Sequence, residues 1–290
     1  MVPEMWTDTR RFSNKDLMKA GVIGNPISHS KSPLIHSYCL KKLNVKAIYN
    51  AIHLTSESDL AAFMTVLKSN GWCGVNVTLP YKEAVLPYLD SYDKNVRLIG
   101  ACNTIVNKSG QLIGHNTDAE GFFYPLRKSR IESVIILGNG GASKAVLYQC
   151  AKEGIKTIYL VARNHSRSDA TKLRVQQAFN IEIIPIRFDE VVKKMIENTD
   201  VIVNTTSVGM QPHDNPFEFI QWVNENCIFY DLIYNPWETK MMKLCKNNGA
   251  TVLNGAPMLA HQAALAFYYF FGKHAETNDM LAQLNGSIKK

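Results

Sequence analysis

The sequence predicts an α/β fold of two lobes with a cleft between them. Its 290 residues correspond to about two domains of ordinary size, and 46% hydrophobic residues are enough to fill two cores. Apolar, β-rich runs alternate with helical patterns along most of the chain, which is typical of parallel sheets covered on both faces. A glycine-rich turn, GNGGAS at residues 138–143, separates a strand-like run from a helical one. We therefore expect one open α/β domain and one Rossmann-like domain.

The first half of the chain is expected to form an open sheet with helices. Three runs, LMKAGVIG, AIYNAIHL and WCGVNVTL, predict strands, and CNTIVNKSGQLIGHNTD predicts a hairpin that turns at residues 108–110. A helix should begin at Pro33, because proline suits a first helical turn. The segment SESDLAAFMTVLKSN predicts a second helix with a serine cap. Two short helices are expected near residues 82–89 and 93–99.

The second half predicts a strand–helix repeat. A helix near residues 119–128 leads to VIILGNGGASKAVLYQCAKEG, after which TIYLVARN, IEIIPIR, DVIVNTT and CIFYDLIYN predict further buried strands. An apolar helix, AHQAALAFYYFFGK, and a polar tail close the chain, and we expect this helix to return to the first domain. The expected boundaries are a polar leader at 1–18, a first domain of residues 19–118 plus 256–290, and a second domain of residues 119–255.

Composition excludes several classes of protein. The longest apolar stretch, Ala263 to Phe271, is half the length of a membrane span, and the charged start of the chain does not resemble a signal peptide. The net charge of +7 comes from scattered lysines and arginines and suits an anionic small molecule better than nucleic acid. Six widely spaced cysteines show no CxxC pair, and no histidine cluster suggests a metal. We expect a cytoplasmic monomer or homodimer without metal.

The glycine turn and the end of the next strand predict a dinucleotide site. Gly138 permits a tight turn, Gly140 lets the backbone approach a pyrophosphate, and the following helix offers free N–H groups. Ser143 replaces the third glycine of the usual motif. Where an NAD enzyme places an acid, this chain has Arg163 and Arg167, which favour the 2′-phosphate of NADP through charge-assisted hydrogen bonds.

Polar side chains follow several strands of the first half. Ser30 and Ser32 lie in a loop, while Asn76, Thr78 and Lys82 follow the strand GVNV, at the edge where an open sheet normally faces its ligand. The runs CNTIV and GHNTD add Asn103 and Asp118 at the ends of further strands. A cation, a carboxylate and several neutral hydrogen-bonding groups predict a site for a small polyhydroxylated substrate.

Eight ordered motifs give the chain a family resemblance. GNPISHSKSPLIH, GVNVTLPYKE, GACNTIV, GHNTDAEGF, GNGGAS, NTTSVGM, DLIYNPWET and MLAHQAALAF closely resemble the shikimate dehydrogenase family, over about residues 20–275. The resemblance implies a substrate-binding domain, an NADP-binding Rossmann-like domain, and reversible reduction of 3-dehydroshikimate to shikimate with NADPH. It places the reaction in aromatic amino-acid biosynthesis in the cytoplasm. It also implies that the last helices pack on the substrate domain.

The resemblance assigns roles to residues of this chain. The substrate carboxylate would be held by Ser30 and Ser32, and its ring hydroxyls would be bound by Asn76, Thr78, Asn103 and Gln262, with Tyr234 nearby. Lys82 and Asp118 resemble the catalytic pair. The cofactor would contact Gly138, Asn139, Gly140, Gly141, Ala142, Arg163, Asn164, Arg167, Gly255 and Met258. One departure is ARNHSR, where the family usually has NRTxxR, so Ala162 and Asn164 each remove a usual polar group while both arginines are kept.

The chemistry requires a group that exchanges a proton with the reacting oxygen. Lys82 is the predicted acid/base, tuned by burial as the lobes close, and Asp118 is its predicted partner, although 36 positions separate them. Three alternatives remain open: a quinate/shikimate dehydrogenase with either NAD or NADP as cofactor, a catalytically silent ligand sensor on the same fold, and another two-lobed Rossmann enzyme such as a methylenetetrahydrofolate dehydrogenase. The SHSKSP and NTDAEGF strings argue against the last.

Overall fold

The chain folds into two compact units. The computed structural model describes residues 17–69, 71–164 and 166–288, with only the backbone of 166–168 and 288. The first unit extends to Thr117 and also takes in Ala260–Leu284, and the second comprises Asp118–Leu259 with the residues after Leu284. Of the expected leader at 1–18, residues 1–16 lie outside the described part of the chain.

The first unit contains a mixed six-stranded sheet. Its strand order is β2-β1-β3-β5-β6-β4, with β1, β2 and β3 parallel and β5 antiparallel to both β3 and β6. The strands are β1 (Met18–Gly24), β2 (Ala47–His53), β3 (Trp72–Val77), β4 (Ser91–Tyr92), β5 (Thr104–Lys108) and β6 (Gln111–His115). The helices before the second unit are α1 (Ser32–Lys42), α2 (Glu57–Leu67) and α3 (Lys94–Ile99), with a 3₁₀ turn at Leu86–Tyr88.

Local sequence signals set the ends of these elements. Pro33 lies in the first turn of α1, and the Ser56 hydroxyl caps α2 by accepting the Asp59 N–H at 3.1 Å. The β5–β6 hairpin turns at Ser109 and Gly110, which both have positive φ angles. The predicted serine cap and hairpin position are therefore confirmed.

The second unit contains a fully parallel six-stranded sheet. Its order, β12-β11-β10-β7-β8-β9, is the doubly wound order of a Rossmann domain. The strands are β7 (Ser133–Leu137), β8 (Thr157–Val161), β9 (Ile183–Ile186), β10 (Val201–Asn204), β11 (Ile228–Asp231) and β12 (Thr251–Leu253). Consecutive residues such as Ile135 and Ile136 are both buried, because helices cover both faces of the sheet. The predicted α/β class is confirmed.

Helices of 5 to 16 residues complete the described chain. They are α4 (Asp118–Phe123), α5 (Gly141–Lys152), α6 (Ser166–Phe179), α7 (Lys193–Glu197), α8 (Lys240–Asn247), α9 (Ala256–Phe271) and α10 (Thr277–Ile288), with 3₁₀ turns at Tyr124–Leu126, Phe188–Glu190 and Glu218–Trp222. Helix α9 begins in the second unit and its later turns pack on the first sheet. A Cβ added to Gly74 of β3 would lie 2.6 Å from the Phe270 ring, so β3 and α9 approach closely.

Two sequence predictions of secondary structure were wrong, and the tail has structure that its polar composition did not indicate. The segment 82–89 forms turns and a 3₁₀ turn instead of a helix, because Pro87 supplies no N–H and restricts Leu86 before it. The helix expected over 119–128 ends at Phe123, two residues before Pro125. The polar tail contains α10, whose Met280 and Leu284, four residues apart, are both buried.

Candidate active site

The carboxyl ends of β1 and β3 lie side by side and carry the first group of predicted site residues. The two strands are parallel with Ile23 opposite Val77, and the Thr78 N–H donates to the Ile23 carbonyl at 2.9 Å. A Cβ on Gly24 would lie 2.5 Å from the Thr78 methyl carbon, so only glycine lets Thr78 sit there. The loop after β1 brings Ser30 and Ser32 to this edge of the sheet, and the Ser30 hydroxyl accepts the Ser32 N–H at 3.3 Å.

A chain of buried hydrogen bonds leads from this loop across the sheet. The Tyr49 hydroxyl of β2 interacts with the Ser32 side chain and donates to Asn76 Oδ1 at 2.7 Å. Burial raises the pKa of Tyr49 well above its usual range, so its hydroxyl keeps the proton that it donates. Asn76 Nδ2 then donates to the Thr104 hydroxyl at 3.1 Å and to the Asn103 carbonyl at 3.3 Å. These bonds fix the orientation of the Asn76 amide.

The same network continues from Asn103 to α9. Asn103 Nδ2 donates to the Thr117 hydroxyl at 2.9 Å and approaches Gln262 Oε1 at 3.5 Å. Asn103 Oδ1 accepts the Thr117 N–H at 2.7 Å and the Thr104 hydroxyl at 3.1 Å. The structure therefore brings together four of the predicted substrate-binding residues, Ser32, Asn76, Asn103 and Gln262, in one connected and buried set.

A buried histidine packs against the tyrosine of this network. The His36 ring stacks on the Tyr49 ring at 3.9 Å between centroids, with 3° between the ring planes. The imidazole is fully buried, and neither ring nitrogen has a hydrogen-bond partner among the described residues. Burial lowers the pKa of His36 to about 3, so the ring is neutral and acts as a flat apolar support for Tyr49.

Lys82 and Asp118 occupy different units. Lys82 is half-buried in the turn after β3, and its carbonyl accepts the Cys102 N–H at 2.8 Å, which ties it to the segment that carries Asn103. Asp118 is the first residue of α4 and is 6% exposed. A carboxylate in the first turn of a helix is stabilised by the backbone dipoles.

The glycine turn of the second unit has the geometry that an anion-binding loop requires. Gly138 has a φ of +110°, and the Ser143 hydroxyl donates to its carbonyl at 2.7 Å, so the serine in place of the third glycine closes the turn. A Cβ added to Gly140 would meet no atom within 4 Å, which leaves open space beside the backbone for a phosphate. Gly140 precedes α5, and the N–H groups of its first residues, Gly141 and Ala142, have no acceptor within the helix, as at any helix N-terminus.

The predicted 2′-phosphate site lies at the end of β8. Arg163 and Asn164 are both exposed there, and the Asn164 carbonyl accepts a hydrogen bond from the Asn139 side chain of the glycine turn. This bond places the end of β8 beside the turn. The side chain of Arg167 lies outside the described residues. No carboxylate occupies residues 162–164, which agrees with the absence of an acid for the ribose hydroxyls.

Gly255 and Met258 lie at the start of α9. A Cβ on Gly255 would lie 2.0 Å from the Leu232 carbonyl oxygen, and the Gly255 N–H donates to the Ile233 carbonyl at 3.0 Å. The backbone can pass this point only with glycine. Met258 is buried, and Tyr234 is half-buried in the segment after β11.

Sequence reasoning missed five buried residues whose side chains form hydrogen bonds in the two units. Tyr49, Thr104 and Thr117 connect the predicted substrate residues, and Asn204 and Asp231 form a buried pair in the second unit. Thr104 and Thr117 each follow or precede a predicted residue directly, so adjacency was an available signal. Burial raises the pKa of Asp231 to about 6, although hydrogen bonds from Thr239, Ile233 and Asn204 act against that rise.

Metal and membrane features are also constrained by the structure. Within the ranges that the structure describes, no three His, Cys, Asp or Glu side chains gather in a metal-binding arrangement. None of the helices in the same ranges has the length and apolar character that crossing a bilayer requires.

The second unit has a doubly wound sheet with a glycine turn, and the first has a buried polar network; this combination is typical of α/β oxidoreductases of the nicotinamide-dinucleotide class. A sequence model of the shikimate dehydrogenase substrate binding domain matches residues 22–105, and one of the shikimate 5'-dehydrogenase C-terminal domain matches 255–284. The shikimate dehydrogenase (NADP(+)) of Streptococcus suis (strain 05ZYH33) is 38% identical over 274 residues, 91% of this chain and 94% of that protein. The chain belongs to the shikimate dehydrogenase family.

Solved structures agree with this assignment. A crystal structure of a shikimate dehydrogenase in complex with NADP+ has a TM-score of 0.87 at 30% identity, covering 96% of this chain and 98% of that chain. A quinate dehydrogenase from Corynebacterium glutamicum in complex with NAD has a TM-score of 0.84 at 28% identity, covering 93% and 99%. The resemblance seen in the sequence is confirmed, and the fold by itself does not separate the shikimate from the quinate enzymes.

Proposed function

We propose that this protein catalyses the NADPH-dependent, reversible reduction of 3-dehydroshikimate to shikimate in aromatic amino-acid biosynthesis, with Lys82 as the acid/base. The observation that carries the proposal is the buried hydrogen-bond network from Ser32 to Gln262, which lies in the same unit as Lys82. Membership of the family and 38% identity to a curated NADP-dependent enzyme support the reaction and the cofactor.

The substrate is held by neutral groups of the first unit. Ser30 and Ser32 bind its carboxylate, and Asn76, Thr78, Asn103 and Gln262 bind its ring hydroxyls, with Tyr234 of the second unit as a further contact. Each of the buried amides is already oriented by its neighbours, so it presents a fixed donor or acceptor and loses little entropy when the substrate binds. Fixed neutral groups in a buried wall suit a polyhydroxylated ring, because they exclude apolar analogues.

The cofactor is held by the carboxyl edge of the parallel sheet. Asn139 to Ala142 would bind the pyrophosphate, Arg163, Asn164 and Arg167 would bind the 2′-phosphate, and Gly255 and Met258 would contact the nicotinamide. The open space in front of Gly140 and the free N–H groups of α5 fit a phosphate. When bound, NADPH supplies the hydride, while the residues of this chain orient both reactants.

Proton transfer is the task of Lys82. In the reduction, its ammonium group donates a proton to the oxygen of the substrate carbonyl, and in the oxidation its neutral amine accepts that proton. Asp118 orients the lysine and balances its charge. The turn after β3 and the hydrogen bond from Cys102 hold the Lys82 backbone next to the substrate-binding segment, which supports this assignment.

The direct test is to incubate purified protein with shikimate and NADP+ and to follow the near-ultraviolet absorbance of NADPH. Quinate and NAD+ are assayed in parallel, so that all four pairs are compared. We expect shikimate with NADP+ to give the highest kcat/KM. A higher value for quinate or NAD+ would make the protein a quinate/shikimate dehydrogenase of the NAD type, and no turnover with any pair would indicate a ligand sensor. The cytoplasmic location and the monomer or homodimer state remain predictions.

A further inference from the structure

Two buried polar residues end neighbouring strands of the parallel sheet and have no role in the proposed chemistry. Asn204 ends β10 and Asp231 ends β11, directly opposite each other, and both side chains are 0% exposed. Asn204 Nδ2 donates to Asp231 Oδ1 at 2.9 Å. Burying a carboxylate is unfavourable unless hydrogen bonds compensate. The other hydrogen bonds of Asn204 and Asp231 supply that compensation, and they identify the backbone segments that the pair holds in place.

Asp231 fixes both ends of the segment that follows β11. Its Oδ1 accepts the Ile233 N–H at 3.1 Å, and its Oδ2 accepts the Thr239 hydroxyl proton at 2.7 Å. The Thr239 hydroxyl also caps α8 by accepting the Met242 N–H at 3.2 Å. One carboxylate therefore sets the course of residues 232–239, which include Tyr234.

Asn204 fixes the segment that follows β10. Its Oδ1 accepts the N–H of Thr206 at 3.1 Å and the hydroxyl of Thr206 at 2.7 Å, and its Nδ2 also donates to the Val208 carbonyl at 3.1 Å. Both amide hydrogens and the amide oxygen are thus in use. A change in the Asn204–Asp231 bond therefore alters the path of both segments together.

Each of these segments lies against a glycine of the proposed cofactor site. A Cβ on Gly138 would lie 2.7 Å from the Thr205 hydroxyl and 3.0 Å from the Thr206 methyl carbon. A Cβ on Gly255 would lie 2.0 Å from the Leu232 carbonyl, and the Gly255 N–H donates to the Ile233 carbonyl at 3.0 Å. Contacts this close transmit small backbone shifts directly.

We propose that Asn204 and Asp231 are positioning residues that set the place of the nicotinamide half of the cofactor. This inference rests on the proposed function. The adenine half is separate from the pair, since Arg163 and Asn164 follow β8, which lies on the far side of β7 from β10. Loss of the pair should therefore weaken the binding of the whole dinucleotide and leave the adenosine 2′-phosphate end nearly unaffected. Because hydride transfer depends on ring position, kcat should fall as well.

The test compares two ligands on each variant by titration calorimetry. NADP+ spans the whole site, whereas adenosine 2′-monophosphate carries the 2′-phosphate and lacks both the pyrophosphate and the nicotinamide. For Asp231→Ala we expect the affinity for NADP+ to fall at least about tenfold and that for adenosine 2′-monophosphate to change less than about threefold. Asp231→Asn keeps an oxygen that can accept from Asn204 and Ile233, so it should restore most of the NADP+ affinity.

A milder variant covers the case in which Asp231→Ala does not fold. Thr239→Val keeps the side-chain shape but removes the hydroxyl bound to Asp231 and the cap of α8, and it should reduce the ratio of NADP+ affinity to adenosine 2′-monophosphate affinity. Ser56→Ala is the matched control, because it removes a helix cap in the first unit without touching the pair. It should change neither affinity.

The outcomes distinguish a failure of the positioning role from a failure of the proposed NADP site. Equal losses of both ligands, or no loss of either, in the folded variants would overturn the positioning role. If the wild-type protein itself bound neither ligand, the proposed NADP site would fail instead, and the positioning role would fail with it. A changed ratio with a normal unfolding temperature supports the inference.

Discussion

The two sheets of this molecule meet their proposed ligands in different ways. At the carboxyl edge of the mixed first sheet, buried side chains bind one another in a continuous chain from Ser32 to Gln262. At the corresponding edge of the parallel second sheet, the proposed ligand surface is mainly backbone, with open space beside Gly140 and an exposed Arg163. We therefore expect recognition in the first unit to depend on cooperating side chains, and recognition in the second to depend on loop geometry and exposed charge.

The largest expected effect concerns the chemistry of the first unit. Lys82→Ala should lower kcat by about 10²–10⁴ while KM for shikimate changes far less, because the lost group acts in the transition state. Steady-state kinetics in both directions measures this. Lys68→Ala is the control, since Lys68 is a lysine of the same unit whose ammonium pairs with Asp90 at 3.0 Å. A rise in KM with kcat intact would make Lys82 a binding residue.

Two arginines after β8 give the next largest effect. The double variant Arg163→Ala and Arg167→Ala should raise KM for NADP+ by about 10- to 100-fold. The 2′-phosphate would lose the charge-assisted hydrogen bonds that the two guanidinium groups donate. KM for NAD+ should stay nearly constant. Arg130→Ala, which removes an arginine of the same unit that is 89% exposed, should change neither value. An unchanged NADP/NAD preference in the double variant would reject the phosphate site.

The cooperation within the first unit is tested by one of its connecting residues. Thr104→Val leaves Asn76 Nδ2 and Asn103 Oδ1 each without one partner, so the free energy of unfolding should fall by about 1–3 kcal/mol. KM for shikimate should also rise, because both amides lose their fixed orientation. Thr65→Val removes an exposed hydroxyl bound to a helix carbonyl and should change stability by less than about 0.5 kcal/mol. Equal effects of the two substitutions would mean that the network does not cooperate.

A pH-dependent effect on stability concerns His36. Its pKa is about 3 in the folded protein and about 6.5 when unfolded, so below pH 6.5 the unfolded chain takes up a proton that the folded chain does not. Wild-type stability should therefore decrease as pH falls, by about 1.4 kcal/mol per unit from this residue. His36→Phe lacks this loss, so its free energy of unfolding should rise relative to wild type between pH 6 and pH 4.

Asp231 acts in the opposite direction but does not disturb that comparison. Its pKa is raised to about 6 in the folded protein, so it contributes stability at low pH that is lost as pH rises through 6. Because Asp231 is present in both proteins, its contribution cancels in the difference. A constant difference in unfolding free energy between pH 7 and pH 4.5 would show that His36 is not kept neutral.

The two units also differ in how much of their fold and candidate site could be predicted from the sequence. In the second unit the glycine turn could be predicted from its sequence, GNGGAS. The structure shows why Ser143 can replace a glycine there, because its hydroxyl donates to the Gly138 carbonyl and closes the turn. In the first unit the ends of strands located Asn76 and Asn103, but not their connection through Tyr49, since a buried tyrosine reads as ordinary core. The pair of Asn204 and Asp231 was missed because strand register, which places them opposite each other, is not visible in one sequence.

Helix α9 has a consequence for how this protein is made. The Phe270 ring presses against Gly74 of β3, and Gln262 reaches Asn103, so the first sheet is covered by a segment that leaves the ribosome long after it. During synthesis the apolar face of the first sheet stays exposed until the parallel sheet of the second unit and then α9 have been translated. We expect nascent chains that stop before Ala256 to be held by chaperones or to aggregate through that bare face. Release of the last thirty or so residues would then complete both the core and the substrate site in one event.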